Sequence, residues 1–260
     1  VAALTSAQVA VLPTAGVAAL STAQVAVLST AQVGALSTAQ VAALTTAQVA
    51  ALTTAQERAL STAHVVALTT AQAAALTSAQ VAALSSSVID AMEVADLAAL
   101  TTSAVKGLTT AQVVALGSDQ IAALTTAQLA SMTTAQISKI ETGDIAAMSA
   151  DQVAALTTAQ VQTLTTGQVA AIGSDQVAAM TTAQVAKLTT AQVQALTTAQ
   201  VGALTTAQLA AMTAAQVAKF STDHIAVLTA AQIGAMTTGQ MAALGSAQVG
   251  ALSTDAVSGL

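Results

Sequence analysis

A Leu, Met, Ile or Phe stands at every eighth position from Leu4 to Leu260, with no insertion or deletion. The chain is four leading residues plus 32 complete octads, with the consensus Leu-Thr-Thr-Ala-Gln-Val-Ala-Ala. The positions are labelled a to h, so that Leu4, Thr5, Ser6, Ala7, Gln8, Val9, Ala10 and Val11 are a to h in turn. Position f is Val, Ile, Leu or Met everywhere except Glu57 and Ala73. Loops of a globular domain accept changes of length. A frame this strict therefore implies that each octad packs on others at fixed offsets, and residues 1–260 are read as one continuous repeat array. With its start in mid-unit at Val1 and no initiator Met or signal peptide, it is read as an excerpt, and a longer chain is expected.

Composition narrows how such an array can be held together. Phe220 is the single aromatic residue, so no core can form around large aromatic anchors. The lack of Cys removes disulfides and thiolate metal sites. Mean hydropathy is +0.74, yet Thr, Ser or Gln interrupts every few positions, whereas a spanning helix needs about 18 consecutive apolar residues. No transmembrane segment is expected. Five basic residues against eleven acidic ones leave a net charge of -6, and the bases are scattered singly. That is no footprint for a phosphate backbone, so nucleic acid is not expected as a partner.

The octad must next be matched to a local structure. In a straight α-helix eight residues overshoot two turns by about 80°, so the apolar stripe would wind around the helix. A β-solenoid is the alternative, but Ala and Gln are poor strand formers and few Gly, Asn or Pro residues could turn its corners. Thr-Thr-Ala-Gln instead matches a capping box, with a hydroxyl at the N-cap (b) and Gln three residues on (e). Charge placement agrees with one short helix per octad, because acids favour helix N-termini and bases C-termini. Nine of the eleven acids lie at b to e: Glu93, Glu141, Asp96, Asp144, Asp119, Asp151, Asp175, Asp223 and Asp255. All five bases, Arg58, Lys106, Lys139, Lys187 and Lys219, lie at g or h. Gly117, Gly173 and Gly245 at b are acceptable N-caps, and Pro13 at b suits a helix start.

The expected fold is therefore all-α, a solenoid or superhelix of octads with one short capped helical segment each. Leu at a should face the axis, with Val at f and Ala at d against neighbouring coils. Positions g and h, which accept Lys, Arg, Asp, Gln and Gly, should be partly exposed.

Candidate chemistry is sparse. His64 and His224 both replace Gln at e and read as structural substitutes for it. Gly-Ser-Asp-Gln occurs twice, but Asp119 and Asp175 read as acids favoured at a helix start and not as calcium ligands. The Thr hydroxyls have no activating base at a fixed distance. Lys139, Lys187 and Lys219 read as helix-end charges, and Met at a as core filling. No catalytic, cofactor-binding or metal-binding residue is assigned, and no enzymatic activity is expected.

The unit Leu-Thr-x-x-Gln-Val-x-Ala-Leu, as in Leu44 to Leu52, resembles the tandem short repeats of very large secreted or surface proteins of proteobacteria, of adhesin or exoprotein type. That resemblance implies export to the cell surface and a role as a stalk, adhesin segment or extracellular fibre, a rod or filament that self-associates. A surface or host ligand is implied without being identified. The glycine-rich calcium nonapeptides often found in such proteins are absent. The unit also resembles the first helix of the DNA-reading repeats of transcription-activator-like effectors, but the second helix and base-reading loop are missing. An alternative function is a ligand-binding repeat surface, such as an ice-binding array of regularly spaced Thr.

Overall fold

The structure is a computed structural model describing residues 1–258; Gly259 and the last a position, Leu260, lie outside the described residues. Among the described residues there are 32 helices and no strand, one helix in each octad, and each helix is four to six residues long. The β-solenoid alternative is thereby set aside. No helix among the described residues is long and apolar enough to cross a membrane.

One octad shows why the helix starts and stops. Thr45 is extended (φ -73°, ψ 157°) and caps the helix Thr46–Ala51. Its hydroxyl accepts from the Gln48 N–H at 3.2 Å, while the Gln48 side-chain oxygen accepts from the Thr45 N–H at 2.7 Å. Two N–H groups that helix geometry leaves orphaned are thus satisfied reciprocally. The helix ends as Leu52 turns extended (φ -60°, ψ 134°), and Thr53 continues extended into the next cap. Two extended residues, a and b, therefore make each corner. No described residue has positive φ, so the corners need no glycine.

The chain divides into two compact units, Val1–Lys139 and Ile140–Leu260. In the first, each helix packs on the helix three octads along wherever that helix lies in the same unit, as Ser6–Ala10 does on Thr30–Gly34 and Thr22–Ala26 on Thr46–Ala51. The second repeats the rule, with Thr142–Ala147 on Thr166–Ala171 and Ala150–Ala155 on Ser174–Ala179. Within each unit a coil is therefore about three octads, a number that the period itself does not contain.

Burial follows the octad frame. Leu at a and Val at f form the core, with Leu52 6% and Val49 1% exposed. Positions g and h are exposed or half-buried, as expected. Position d corrects the sequence reading: Ala39, Ala47 and Ala55 are exposed, and the neighbouring Gln at e is buried in their place. The cause is geometric, because one residue along a helix is 100° of rotation. With e and f turned to the neighbouring coils, d faces outward.

Candidate functional site

The side chain that most distinguishes this array is the Gln at e. Of 32 e positions, 24 are Gln and none is Glu. A capping box alone accepts either residue, so the preference has a second cause. Gln48 supplies it: beyond its cap, its side-chain NH2 donates to the carbonyls of Val17 at 3.0 Å, Ala18 at 3.2 Å and Leu20 at 2.6 Å. Val17 and Ala18 end the helix Thr14–Ala18; the Val17 carbonyl also takes the Leu20 N–H at 3.1 Å, and the Gln48 amide adds a second donor there. One side chain thus caps the N-terminus of its own helix and the C-terminus of a helix in the preceding coil. A carboxylate could do only the first.

The same reach, 28 to 31 residues back, recurs along both units. Gln40 donates to Val9, Ala10 and Leu12, and Gln72 to Val41, Ala42 and Leu44. In the second unit Gln184 donates to Val153, Ala154 and Leu156, and Gln240 to Leu209, Ala210 and Met212. The result is a ladder of buried amides tying coil to coil.

His64 and His224 occupy rungs of this ladder. The Ser61 N–H donates to His64 Nδ1 at 3.2 Å, and His64 Nε2 lies 2.8 Å from the Leu36 carbonyl. Since Nδ1 accepts, the proton sits on Nε2 and is donated to Leu36, which is the acceptor-plus-donor pair of a Gln amide. His224 repeats this, with Nδ1 accepting from Ser221 at 3.3 Å and a bond to the Leu196 backbone. Burial lowers the His224 pKa, partly opposed by the Leu196 bond and by Asp223. Phe220 meets its ring edge-on, centroids 5.7 Å apart. Both histidines are therefore structural substitutes for Gln.

Asp119 and Asp175 lie exposed in the first turns of their helices. Asp119, Asp90 and Glu93 rim an open groove of about 890 Å³ that Met92 and Val94 also line. Among the described residues no group of three or more His, Asp or Glu could hold a metal ion. Lys106 sits in the last turn of its helix and Lys187 at a C-cap, where the helix dipole favours a cation.

The sequence reading did not single out Glu57, the acid at f. It is fully buried, and one carboxyl oxygen accepts from the Gln80 amide at 3.0 Å while the other has no partner. Burial pushes its pKa up from 4.5 to about 8, against a smaller lowering by the Gln80 bond. The signal was present in the pattern, since a single acid stands at a position otherwise held by apolar residues.

A helix per octad, coils of about three octads and a side-chain ladder between them define a short-period helical repeat solenoid. The chain belongs to the ALTTAQ repeat family, which matches residues 1–38, 31–57, 55–86, 89–126, 137–173, 169–206, 206–238 and 230–260. No curated protein matches it.

Proposed function

We propose that the array is an extracellular structural region of a bacterial surface protein, a spacer or fibre element without catalytic chemistry of its own. The observation that carries this reading is the complementarity of the two faces of a coil. One face presents Gln donors at e, and the other presents helix-end carbonyls and the apolar side chains at f. Any coil can therefore seat on any other through the same contact, and mass is added without new chemistry. A weakly charged surface of small residues also opposes close approach poorly, which favours self-association of copies. The resemblance to giant secreted and surface repeat proteins supports the placement outside the cell.

Two measurements test it. Antibodies to the repeat should label intact cells of the source organism; labelling only after permeabilisation would overturn the placement. Sedimentation of the purified chain should show assemblies that grow with concentration, and a monomer throughout would remove self-association.

One observation favours a second reading, a ligand surface of the ice-binding kind. The b hydroxyls are engaged in caps, but Thr46, Thr54 and Thr62 at c are exposed, one per octad. Thermal hysteresis or ice shaping by the purified chain would support this reading, and their absence would eliminate it.

A further inference from the structure

The ladder lapses through one whole coil. Three successive e positions are Val88, Asp96 and Ala104 in place of Gln. By the reach of 31, 30 and 28 residues seen at Gln48, a Gln at 88 would have met the carbonyls of Glu57, Arg58 and Leu60. At 96 it would have met Val65, Val66 and Leu68, and at 104 Ala73, Ala74 and Leu76.

The facing coil is altered at the same place. Its f residues are Glu57, Val65 and Ala73, so the only two f positions in the chain that are not Val, Ile, Leu or Met both lie on this junction. Glu57 leaves a buried carboxyl oxygen without a partner, and Ala73 offers less apolar area than Val. Asp96 is held by a hydrogen bond to Thr70. At the edge of this junction, two residues past the facing segment, backbones come close: a Cβ on Gly107 would lie 2.5 Å from the Ser78 carbonyl oxygen and 2.8 Å from its Cα. Contact between small groups and the single Asp96–Thr70 bond take the place of three amide rungs.

We propose that this seam, between residues 52–76 and 84–108, is the joint at which the unit Val1–Lys139 opens first, its two sides parting and reclosing while the ladder elsewhere holds. Local opening concentrates where buried apolar contact and hydrogen bonding are poorest. One rung shifts an opening equilibrium about fivefold, so three together shift it on the order of a hundredfold. Part of that is returned by the burial of Val88 and Ala104. In a structural array such a joint yields before the rest, giving extension at one place.

Hydrogen exchange of the full chain, read by mass spectrometry, tests it. Peptides from 52–76 and 84–108 should exchange at least about tenfold faster than peptides from 28–51, which Gln rungs and the His64 rung hold on both sides. The triple variant Ala73→Val, Val88→Gln, Ala104→Gln should slow the seam peptides toward the control rate and leave 28–51 unchanged. Seam peptides as slow as the control in the parent chain, or unmoved in a folded triple variant, would overturn the proposal. Should that variant fail to fold, Gln40→Met, Gln48→Met and Gln56→Met together provide the converse: they should create a second fast joint between residues 9–28 and 36–59. No such joint would likewise overturn it.

Discussion

Gln48 and Gln24 separate the two duties of position e. Gln48 is buried and bonded both to its cap and to the coil before it, whereas Gln24 is exposed and engaged only in its cap. Replacing each by Glu keeps the cap acceptor and removes the amide donor. Gln48→Glu should destabilise the fold by about 2–4 kcal/mol, because a buried carboxylate then faces the carbonyls of Val17 and Leu20. Gln24→Glu should change stability by less than about 0.5 kcal/mol, as surface substitutions do. Thermal melts followed by circular dichroism compare the two, and equal losses would refute the division of duties. Glu57 carries a different prediction. Its pKa is raised from 4.5 to about 8, so between those values the folded chain holds a proton that the unfolded chain has released. Its stabilising contribution is complete below pH 4.5 and is lost as pH rises toward 8, a change on the order of 5 kcal/mol. Asp96, also raised by burial, adds to the same slope, and His224, lowered by burial, costs stability as pH falls. Glu57→Val should remove most of the decline between pH 5 and pH 8. A variant whose denaturation midpoint declines as steeply as the parent's would show that Glu57 is not its source.

The helical element was largely legible in the sequence, because what starts and ends it is local. A hydroxyl at b, Gln at e, acids near the start and bases near the end each act within one turn, so the string alone exposes them. The burial of Gln at e and the exposure of Ala at d were not legible. They depend on which way a helix of four to six residues is rotated, and that is decided by the neighbouring coil. The amide reach from Gln48 to Val17 is equally invisible locally, although the absence of Glu from every e position hinted at a donor. Two glycines test the element in opposite directions. Gly117 is an N-cap without a side chain, its φ and ψ are extended, and a Cβ there meets nothing within 4 Å. Gly117→Thr should therefore stabilise by about 0.3 kcal/mol through the restored cap. At Gly107 a Cβ would strike the Ser78 backbone, so Gly107→Ala should destabilise by about 1–3 kcal/mol. Melting temperatures moving in opposite senses would bear out both assignments.

At the scale of the whole array, the frame announced fixed offsets but not which ones. Closure of a coil after about three octads depends on the extended angles at a and b, and caps and inter-coil packing set those angles together. The eight-residue count is blind to them. Once known, the offset makes the array respond to length changes in an order opposite to their size. A single Ala inserted between Ala43 and Leu44 lengthens every reach that spans the site. Gln48 and Gln56 would stand one residue too far from Leu20 and Leu28, His64 from Leu36, and Gln72 could no longer reach Val41 and Leu44 together. Four rungs at about 1 kcal/mol each put the loss near 4 kcal/mol. Deleting all of residues 28–51 instead removes 24 residues, one coil. Gln56 then falls 28 residues after Leu4, in the place of Gln32, and His64 falls 28 after Leu12, in the place of Gln40. Gln72 likewise meets Leu20 in the place of Gln48. Stability of a stacked array sums over neighbouring units, so the deletion subtracts one coil's share and leaves every remaining rung in register. The chain shortened by 24 residues should therefore melt at a higher temperature than the chain lengthened by one, both followed by the helical circular dichroism signal; the reverse order would mean that the ladder does not fix the coil.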